Sequence, residues 1–412
     1  MKILLIPVPC RKNMLPIVPI GLLYISEYLR NHECDCEILD LNFSRDKRSA
    51  LEKKLQIYRP HMIGVSIRNI AESMSMNYIY EEIKQLVEAC REFAPVVLGG
   101  AGFSIFPDEL MNLTEADYGI VGPGEGAMAY LIENLQFIPR HTILSRPYDG
   151  FPESNISDEY ERYWSKYGQY YKVSSSSALP VQVTRGCRFR CAYCSYPIIN
   201  PETSFRPHSK VIDEIQSIYN LTGHNSFYFV DSIFNMNKEY TKGFLHDLIN
   251  RNLHLHWSCC LSPYNYDQEL LEMMKTAGCI FCEVGVDSFA DAMLQQLHKP
   301  YNAKMAYDML CCIQEIGIPC SISLIIGGHG ETLDTLQQTL KIANSLKLER
   351  IFAFIGERVY PHTALAAALQ MGPKQVFLAG EDSIYISSQV KEALEEFRVN
   401  APKNWAFNGY GV

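Results

Sequence analysis

The chain has 412 residues, 47% of them apolar and 20% charged, which fits a folded protein of about two domains and excludes a disordered or fibrous one. A formal net charge of −9 gives no reason to expect a nucleic-acid backbone as partner, and no apolar run reaches the length a bilayer needs, so neither nucleic acid nor a membrane is expected. The 14 cysteines are scattered or in adjacent pairs such as Cys259 with Cys260, poorly spaced for a disulfide framework, and no secretory signal opens the chain, so a reducing cytoplasm is the expected location.

Residues 1–7 read as a buried strand, and a proline-rich loop over 7–19 leads into residues 20–29, apolar at helical spacing. The alternation continues with a strand over 36–41, a helix over 47–58, a strand over 62–66, a long helix over 74–93, and strands over 95–98 and 118–121. Strands alternating with helices imply a parallel sheet covered on both faces, whose ligands sit outside the carboxyl ends of the strands. Two glycine loops fall there, Gly99-Gly100-Ala101-Gly102-Phe103-Ser104 and Gly122-Pro123-Gly124-Glu125-Gly126, where missing side chains let backbone N–H groups approach a large ligand. No GxGxxG opens a helix directly after the first strand, so the ordinary dinucleotide fingerprint is lacking.

Residues 139–177 read as a linker rich in Tyr and Ser. Tyr160, Tyr163, Trp164, Tyr167, Tyr170 and Tyr171 form either a packing cluster or a stacking surface for a ring. From residue 179 strands and helices alternate again, with strands over 179–184, 227–234, 254–260, 281–288, 321–327 and 351–355. Polar or glycine residues collect at their carboxyl ends, where barrels of parallel strands carry chemistry. After residue 372 an acidic helix over 383–397 and an aromatic tail over 405–412 are expected to close over the barrel or to contact substrate.

The first of these strands runs into Arg185-Gly186-Cys187-Arg188-Phe189-Arg190-Cys191-Ala192-Tyr193-Cys194. Three thiolates in one short loop are one ligand short of the four-cysteine sets that close a structural zinc or an ordinary iron–sulfur cluster. One metal position is thereby left open to a small chelating molecule. A zinc knuckle or incidental thiols are the alternative, and no fourth Cys or His follows at the short spacing a knuckle uses. Arg185, Arg188 and Arg190 give the loop a basic surround suited to an anionic cluster or substrate.

The CxxxCxxC spacing, with Tyr193 before the last cysteine, resembles the radical S-adenosylmethionine (radical SAM) enzymes. Pro19-Ile20-Gly21-Leu22-Leu23-Tyr24, Gly64-Val65-Ser66, Val97-Leu98-Gly99-Gly100 and Gly119-Ile120-Val121-Gly122-Pro123-Gly124-Glu125-Gly126 resemble the cobalamin (B12)-binding domain that precedes the radical SAM domain in a large subgroup. The cobalt-ligating DxHxxG signature is absent, and His32 and His61 stand in no such context. The resemblance implies an α/β chain with an N-terminal Rossmann-like cobalamin-binding domain over 1–138, a linker over 139–177, a partial (β/α)6 radical SAM barrel over 178–371 and a short C-terminal extension over 372–412.

The resemblance also implies site residues. A 4Fe-4S cluster falls on Cys187, Cys191 and Cys194 beside Tyr193. S-adenosylmethionine falls near Asp231 and Ser232 at its amino group, Glu283, Asp287 and Ser288 at its ribose, Ile326 and Gly328 at its adenine, and Tyr360 at the sixth-strand turn. In two places the chain departs from the family pattern: Asp287-Ser288 replaces the usual Glu-Ser, and Leu324 replaces a leading glycine. Arg206 falls in the family's basic segment after the cysteine loop. Cobalamin falls near Ser66, Arg68 and Asn69, near Gly99, Gly100, Gly102 and Phe103, and near Gly122, Gly124, Glu125 and Gly126.

The activity implied is that of a cobalamin-dependent radical SAM C-methyltransferase acting on an unactivated carbon of a natural-product intermediate, amino acid or peptide. It would work through a 5′-deoxyadenosyl radical and methylcobalamin, with an electron donor such as flavodoxin or ferredoxin. Two readings stay beside it: radical rearrangement or cyclisation without methyl transfer, and a cobalamin or redox sensor.

Overall fold

The structure is a computed structural model that describes residues 1–10, 16–69, 79–171, 178–380 and 383–408. Its strands in chain order are β1 Lys2–Pro7, β2 Asp35–Ile38, β3 Met62–Ser66, β4 Val96–Gly99, β5 Tyr118–Val121, β6 Thr142–Ser145, β7 Leu179–Val181, β8 Thr184–Arg185, β9 Ser204–Phe205, β10 Ser226–Phe229, β11 His256–Leu261, β12 Cys279–Asp287, β13 Cys320–Ile326, β14 Arg350–Ile355, β15 Glu357–Arg358, β16 Ile384–Tyr385 and β17 Trp405–Asn408. Two compact units share the chain. The first takes the described residues up to Pro180 together with Ile198–His224, and the second takes Val181–Pro197 and Asn225 onward.

The first unit is built on a parallel sheet in the order β2-β1-β3-β4-β5-β6. Its central strands β1 and β3 are buried and apolar from Ile3 to Ile6 and from Met62 to Val65, as a sheet covered on both faces requires. Helix Ile20–Asn31 buries Leu22, Leu23, Tyr24 and Leu29. Helix Lys47–Tyr58 starts where Asp46 accepts from the Ser49 N–H at 3.0 Å and stops at Arg59, which takes φ +50°. Strand β2 ends at Ile38, short of the expected 41, because the Asp40 carboxylate accepts from the Asn42 N–H at 2.9 Å and turns the chain into a short 3-10 helix. Of the helix expected over 74–93, Tyr80–Arg91 is observed; residues 70–78 lie outside the described residues.

The segment expected to be a linker packs into this unit. It supplies β6 and helix Ser157–Tyr167, and its aromatic residues pack on the end of β2: the Tyr163 hydroxyl donates to Asp40 at 2.7 Å, and Phe43 stacks on Tyr170 with centroids 5.0 Å apart. The observed role of these rings is packing.

The second unit has a seven-stranded sheet, β17-β14-β13-β12-β11-β10-β7, parallel from β10 to β17. Its two faces differ. Cys259, Cys282, Val284, Ile322, Leu324 and Ala353 are buried on the outer face, whereas Tyr228, Cys260, Glu283, Ser323 and Phe352 are only half-buried on the inner one, and Phe354 is 37% exposed. One face is packed and the other open, as in an incomplete barrel. Strand β10 stops at Phe229, earlier than expected, because Phe234 folds back to stack on it at 5.0 Å and donates its N–H to the Cys260 carbonyl. The C-terminal extension adds a seventh strand, β17, with Ile351 opposite Trp405. Its expected helix over 383–397 begins only at Lys391, because Ile384 and Tyr385 pair antiparallel with β15.

All 14 cysteines are free thiols. No helix among the described residues is long and apolar enough to cross a membrane.

Candidate functional site

The cysteine loop follows β7 and β8, and β7 lies beside β10 in the seven-stranded sheet. The Val230 N–H donates to the Val181 carbonyl at 2.9 Å, which brings Asp231 under the loop. Asp231 accepts from the Thr184 hydroxyl at 2.7 Å and from the Val183 and Thr184 N–H groups, and burial pushes its carboxyl up to about 6 against the pull of those bonds. The Ser232 hydroxyl donates to the Gly186 carbonyl at 2.9 Å, and Gly186 itself takes φ +91°, a conformation that suits glycine. Asp231 and Ser232, expected at the amino group of SAM, therefore brace the start of the loop.

Further on, Arg190 donates to the Cys187 carbonyl at 3.0 Å, Ala192 donates to the Leu297 carbonyl at 3.0 Å, and the Leu365 N–H returns to the Ala192 carbonyl at 2.9 Å. The loop is thus fixed by its backbone, and its side chains are left for chemistry. Cys187 is buried, Cys191 and Cys194 are half-buried, and the Tyr196 N–H donates to the Cys194 sulfur at 3.4 Å. Burial pushes the Cys194 thiol up to about 11 and raises Cys191 too, and each feels the other loop sulfurs as like charges. Such crowding opposes ionisation of the bare thiols, and a cationic iron centre reverses it. No three Cys, His, Asp or Glu among the described residues converge tightly enough to hold a single metal ion. A cubane cluster places its irons at separate corners, so three cysteines can ligate it without converging on one ion.

Behind the loop lies a buried group centred on a residue that sequence reasoning missed. The Tyr193 hydroxyl donates to Asp287 at 2.7 Å, and Lys299 donates to Tyr193 at 3.1 Å and pairs with Asp287. The Lys299 and Asp287 side chains are 8% and 6% exposed. Burial alone would lower the ammonium of Lys299, but Asp287, Tyr193 and Tyr301 outweigh it and hold it well above its ordinary value. Asp287 reaches this position through a bulge in β12 after Gly285 and a φ of +61°. Nothing in Leu297-His298-Lys299-Pro300 marks Lys299, because its tyrosine partner lies 106 positions away.

The remaining SAM-contacting expectations divide. Glu283 stays half-buried on the inner face, raised by burial and hydrogen-bonded by Ser323, and Tyr360 is half-buried. Ser288 is a correction: it is fully buried, its hydroxyl bonded to Thr339 at 2.9 Å and accepting from Ala290 at 3.1 Å, so it anchors a helix. Ile326 is another, with its side chain fully buried and its carbonyl taken by the Gly356 N–H at 2.7 Å. At Gly328 a Cβ would stand 3.0 Å from the Glu357 carboxyl, so this glycine makes room for a side chain of the protein itself.

That turn holds two buried carboxyls. Glu331 accepts from the Gly327 N–H at 2.6 Å and Glu357 accepts from the His329 N–H at 2.7 Å. Burial first, and then Glu357 nearby, push Glu331 from 4.5 to about 7. A carboxyl raised on folding binds its proton more tightly in the native chain, so its contribution is fully present below pH 4.5 and is lost as pH rises towards 7. Glu331→Gln should flatten that loss, gaining up to roughly 3 kcal/mol on the wild type between pH 4.5 and 8. Parallel pH profiles for the two chains in urea denaturation would contradict this.

In the first unit the strand order reverses at β1 and β3, and the carboxyl edge there carries the expected glycine loops. Ser66 lies opposite Gly99, and Arg68 and Asn69 follow it as exposed residues. A Cβ at Gly99 would meet only the Ile120 carbonyl at 3.8 Å, and one at Gly122, whose φ is +82°, or at Gly126 only the Ile199 carbonyl or the Tyr148 ring at 3.5 Å, so these three leave room at this edge for a large flat cofactor such as cobalamin. Gly100 and Gly124 are glycine for internal reasons. At Gly100, φ is +94° and a Cβ would lie 2.6 Å from the Ile67 carbonyl oxygen; at Gly124 it would lie 2.7 Å from Ile25.

Three further residues of this set face inward. Phe103 is a correction, fully buried with its ring where a Cβ on Gly119 would stand; Gly102 is buried and donates to Ile67 at 2.8 Å; and Glu125 is only 2% exposed in the first turn of its helix. His61 precedes β3, where its Nδ1 accepts from the Lys2 N–H, and His32 follows helix Ile20–Asn31, so neither stands at the carboxyl edge.

The family model described as Radical SAM superfamily matches residues 181–343, and that described as B12 binding domain matches residues 12–132. Tryptophan 2-C-methyltransferase of Streptomyces laurentii is 23% identical over 86% of this chain and 72% of its own. Anaerobic magnesium-protoporphyrin IX monomethyl ester cyclase of Rubrivivax gelatinosus is 22% identical over 79% of this chain and 61% of its own. Among solved structures, the radical S-adenosylmethionine methyltransferase TsrM of Kitasatospora setae, with cobalamin and a 4Fe-4S cluster bound, superposes with a TM-score of 0.81 at 20% identity, covering 98% of this chain and 92% of that one.

Proposed function

We propose that this chain, whose residues 181–343 match the Radical SAM superfamily model and 12–132 the B12 binding domain model, is a cobalamin-dependent C-methyltransferase acting on an amino acid, a peptide or a natural-product intermediate. The observation that carries this reading is the three-cysteine loop, fixed by its backbone at the carboxyl edge of an open parallel sheet, in a chain whose other sheet has a glycine-rich edge at its switch point. When bound, the cluster, SAM and cobalamin supply one-electron chemistry and a transferable methyl group, which acid–base side chains cannot provide.

The protein's own part is to hold and insulate. Cys187, Cys191 and Cys194 would ligate three irons, and Asp231, Ser232 and Gly186 fix the start of their loop. Glu283, with Ser323, presents a half-buried carboxyl to the open face, suited to a hydroxyl or ammonium group of SAM or substrate. On the other unit, Gly99, Gly122 and Gly126, with Ser66, Arg68 and Asn69, would take the cobalamin. A flavodoxin or ferredoxin would deliver electrons.

Support for methyl transfer comes from the tryptophan methyltransferase relative, and the cyclase relative keeps rearrangement or cyclisation as the second reading. The test is anaerobic reconstitution with iron, sulfide and cobalamin, followed by incubation with a low-potential reductant such as reduced flavodoxin, with SAM carrying a deuterated methyl group and with tryptophan as the first candidate substrate. A product that gains the labelled methyl supports the proposal. SAM turnover with substrate conversion but no added carbon, across amino-acid and peptide candidates, assigns the second reading. No SAM turnover by the cluster-loaded chain leaves a sensor.

A further inference from the structure

We propose that the tip of the cysteine loop, Arg188-Phe189-Arg190 on a base formed by Tyr264, is the docking surface for a small acidic flavodoxin that brings the cluster its electron. The inference rests on the reading of the three cysteines as cluster ligands, and adds the place where the donor binds.

Arg188 and Arg190 are exposed, although the cysteines that flank them are buried or half-buried. Phe189, between them, is half-buried and stands edge-on to Tyr264 with centroids 5.5 Å apart. The Arg188 guanidinium lies 5.7 Å from the Tyr264 ring centroid and 5.9 Å from that of Phe189, and Arg190 donates to the Cys187 and Phe189 carbonyls at 3.0 and 3.2 Å. Rings and carbonyls hold the two cations without neutralising them, and no carboxylate pairs with either among the described residues. The acidic groups that follow Tyr264 are already taken: Asp267 pairs with Lys238 and Lys242 at 3.0 and 2.9 Å, and Glu269 pairs with Lys242.

The base is as well fixed as the tip. Asn235 is fully buried and commits its amide to the backbone around Tyr264, donating to the Ser262 and Tyr264 carbonyls at 2.9 Å each and accepting from the Ser262 N–H at 3.0 Å. A surface organised before its partner arrives loses little entropy on docking.

Charge and shape select the partner. A chain of net charge −9 repels an acidic carrier overall, so a productive encounter needs a local positive patch to orient it. Electron-transfer encounters use small interfaces, so two arginines and two rings are enough to direct one. An aromatic pair flanked by cations matches a carrier whose flat flavin edge is rimmed by carboxylates. The patch also lies where the electron must arrive, since the Cα atoms of Arg188 and Arg190 are one bonded step, about 3.8 Å, from those of Cys187 and Cys191. One electron leaves the reduced flavin and enters the oxidised cluster, and no bond forms or breaks.

The experiment uses the anaerobically reconstituted chain as wild type, Arg188→Glu and Arg188→Gln. Arg188 is chosen because its side chain touches rings alone, whereas Arg190 also holds the loop. Calorimetry measures binding of purified oxidised flavodoxin, and absorbance follows cluster reduction by reduced flavodoxin and, separately, by photoreduced deazaflavin, an uncharged small reductant. Arg188→Glu should weaken flavodoxin binding and slow flavodoxin-driven reduction at least tenfold at low ionic strength, and the gap should close at about 0.5 M salt. Arg188→Gln should show a smaller loss of the same kind, and carries the test if the glutamate variant fails to load the cluster. Deazaflavin-driven reduction should match the wild type in both variants. Unchanged flavodoxin affinity in the variants, or a wild type that binds no flavodoxin, overturns the proposal. So does an equal loss of reduction by both donors or a loss of SAM affinity, because Arg188 would then serve the cluster or an anionic substrate. A wild-type chain that takes up no cluster would instead overturn the underlying reading of the cysteines.

Discussion

A chain in which Cys187, Cys191 and Cys194 are all replaced by alanine is expected to stay folded, to retain no iron or sulfide after anaerobic reconstitution, and to form no deoxyadenosine from SAM. Loss of the cluster follows from chemistry, because thiolates are the protein ligands such a cluster uses and the variant has none left in the loop. Persistence of the fold follows from the way the loop is held. Its anchors reach the loop backbone, the Ala192 N–H to Leu297, the Leu365 N–H to Ala192 and the Ser232 hydroxyl to Gly186, and none of them uses a cysteine side chain. Only Cys187 is fully enclosed, so the substitutions remove little packing. Circular dichroism and iron and sulfide assays separate the two effects, and a triple variant that keeps the metal, or still cleaves SAM, would refute the assignment.

The second large effect is expected at Arg206, in the first unit. Its guanidinium is completely buried, paired with Glu214 through two bonds of 2.7 and 3.1 Å, and it also donates to the Ser154 carbonyl at 2.8 Å and the Tyr24 hydroxyl at 3.2 Å. Glu214 accepts from the Ile156 N–H at 3.2 Å as well. Arg206→Ala leaves a carboxylate without its cation in a dry interior and should cost about 3–5 kcal/mol. The double variant Arg206→Met with Glu214→Leu removes both charges and keeps their volume, so it should be more stable than either single variant despite the orphaned Ser154 carbonyl and Ile156 N–H. Denaturant midpoints measure this. If the double variant were worse than both singles, the geometry of the pair would matter more than the isolation of the charge.

The contrast between Arg206 and Cys187 shows where sequence reading succeeds. A motif whose chemistry is local, such as three thiols within eight positions or a glycine loop after an apolar strand, announces itself in the order of residues. The strands over 62–66 and 118–121 and the helix over 47–58 were equally plain, because periodicity and caps lie within the element. What stayed hidden depends on distant partners. β6 and β17 are short edge strands whose pairing rests on residues far away or in another element, and the tail reads as a loop until Ile351 is placed opposite Trp405. Side-chain direction was hidden for the same reason. Phe103, Ser288 and Ile326 lie in the expected loops and strand ends, but their side chains point into packing that only the folded chain provides. Lys299 is the converse, an unremarkable lysine made significant by Tyr193 and Asp287.

Because the first unit includes Ile198–His224, its construction cannot follow the simple order of synthesis. A ribosome releases β1 to β6 and then the cysteine loop before Arg206 and Glu214 emerge, so during that interval Tyr24 and the Ser154 carbonyl await partners still held in the exit tunnel. The nascent first unit thus remains incomplete while the three thiols are already outside the tunnel, and helix His208–Thr222 is the piece that finishes it. Shortened chains ending before residue 198 would carry this defect permanently, and a cut meant to isolate the cofactor-binding half should fall after His224, with the cysteine loop kept as a passenger.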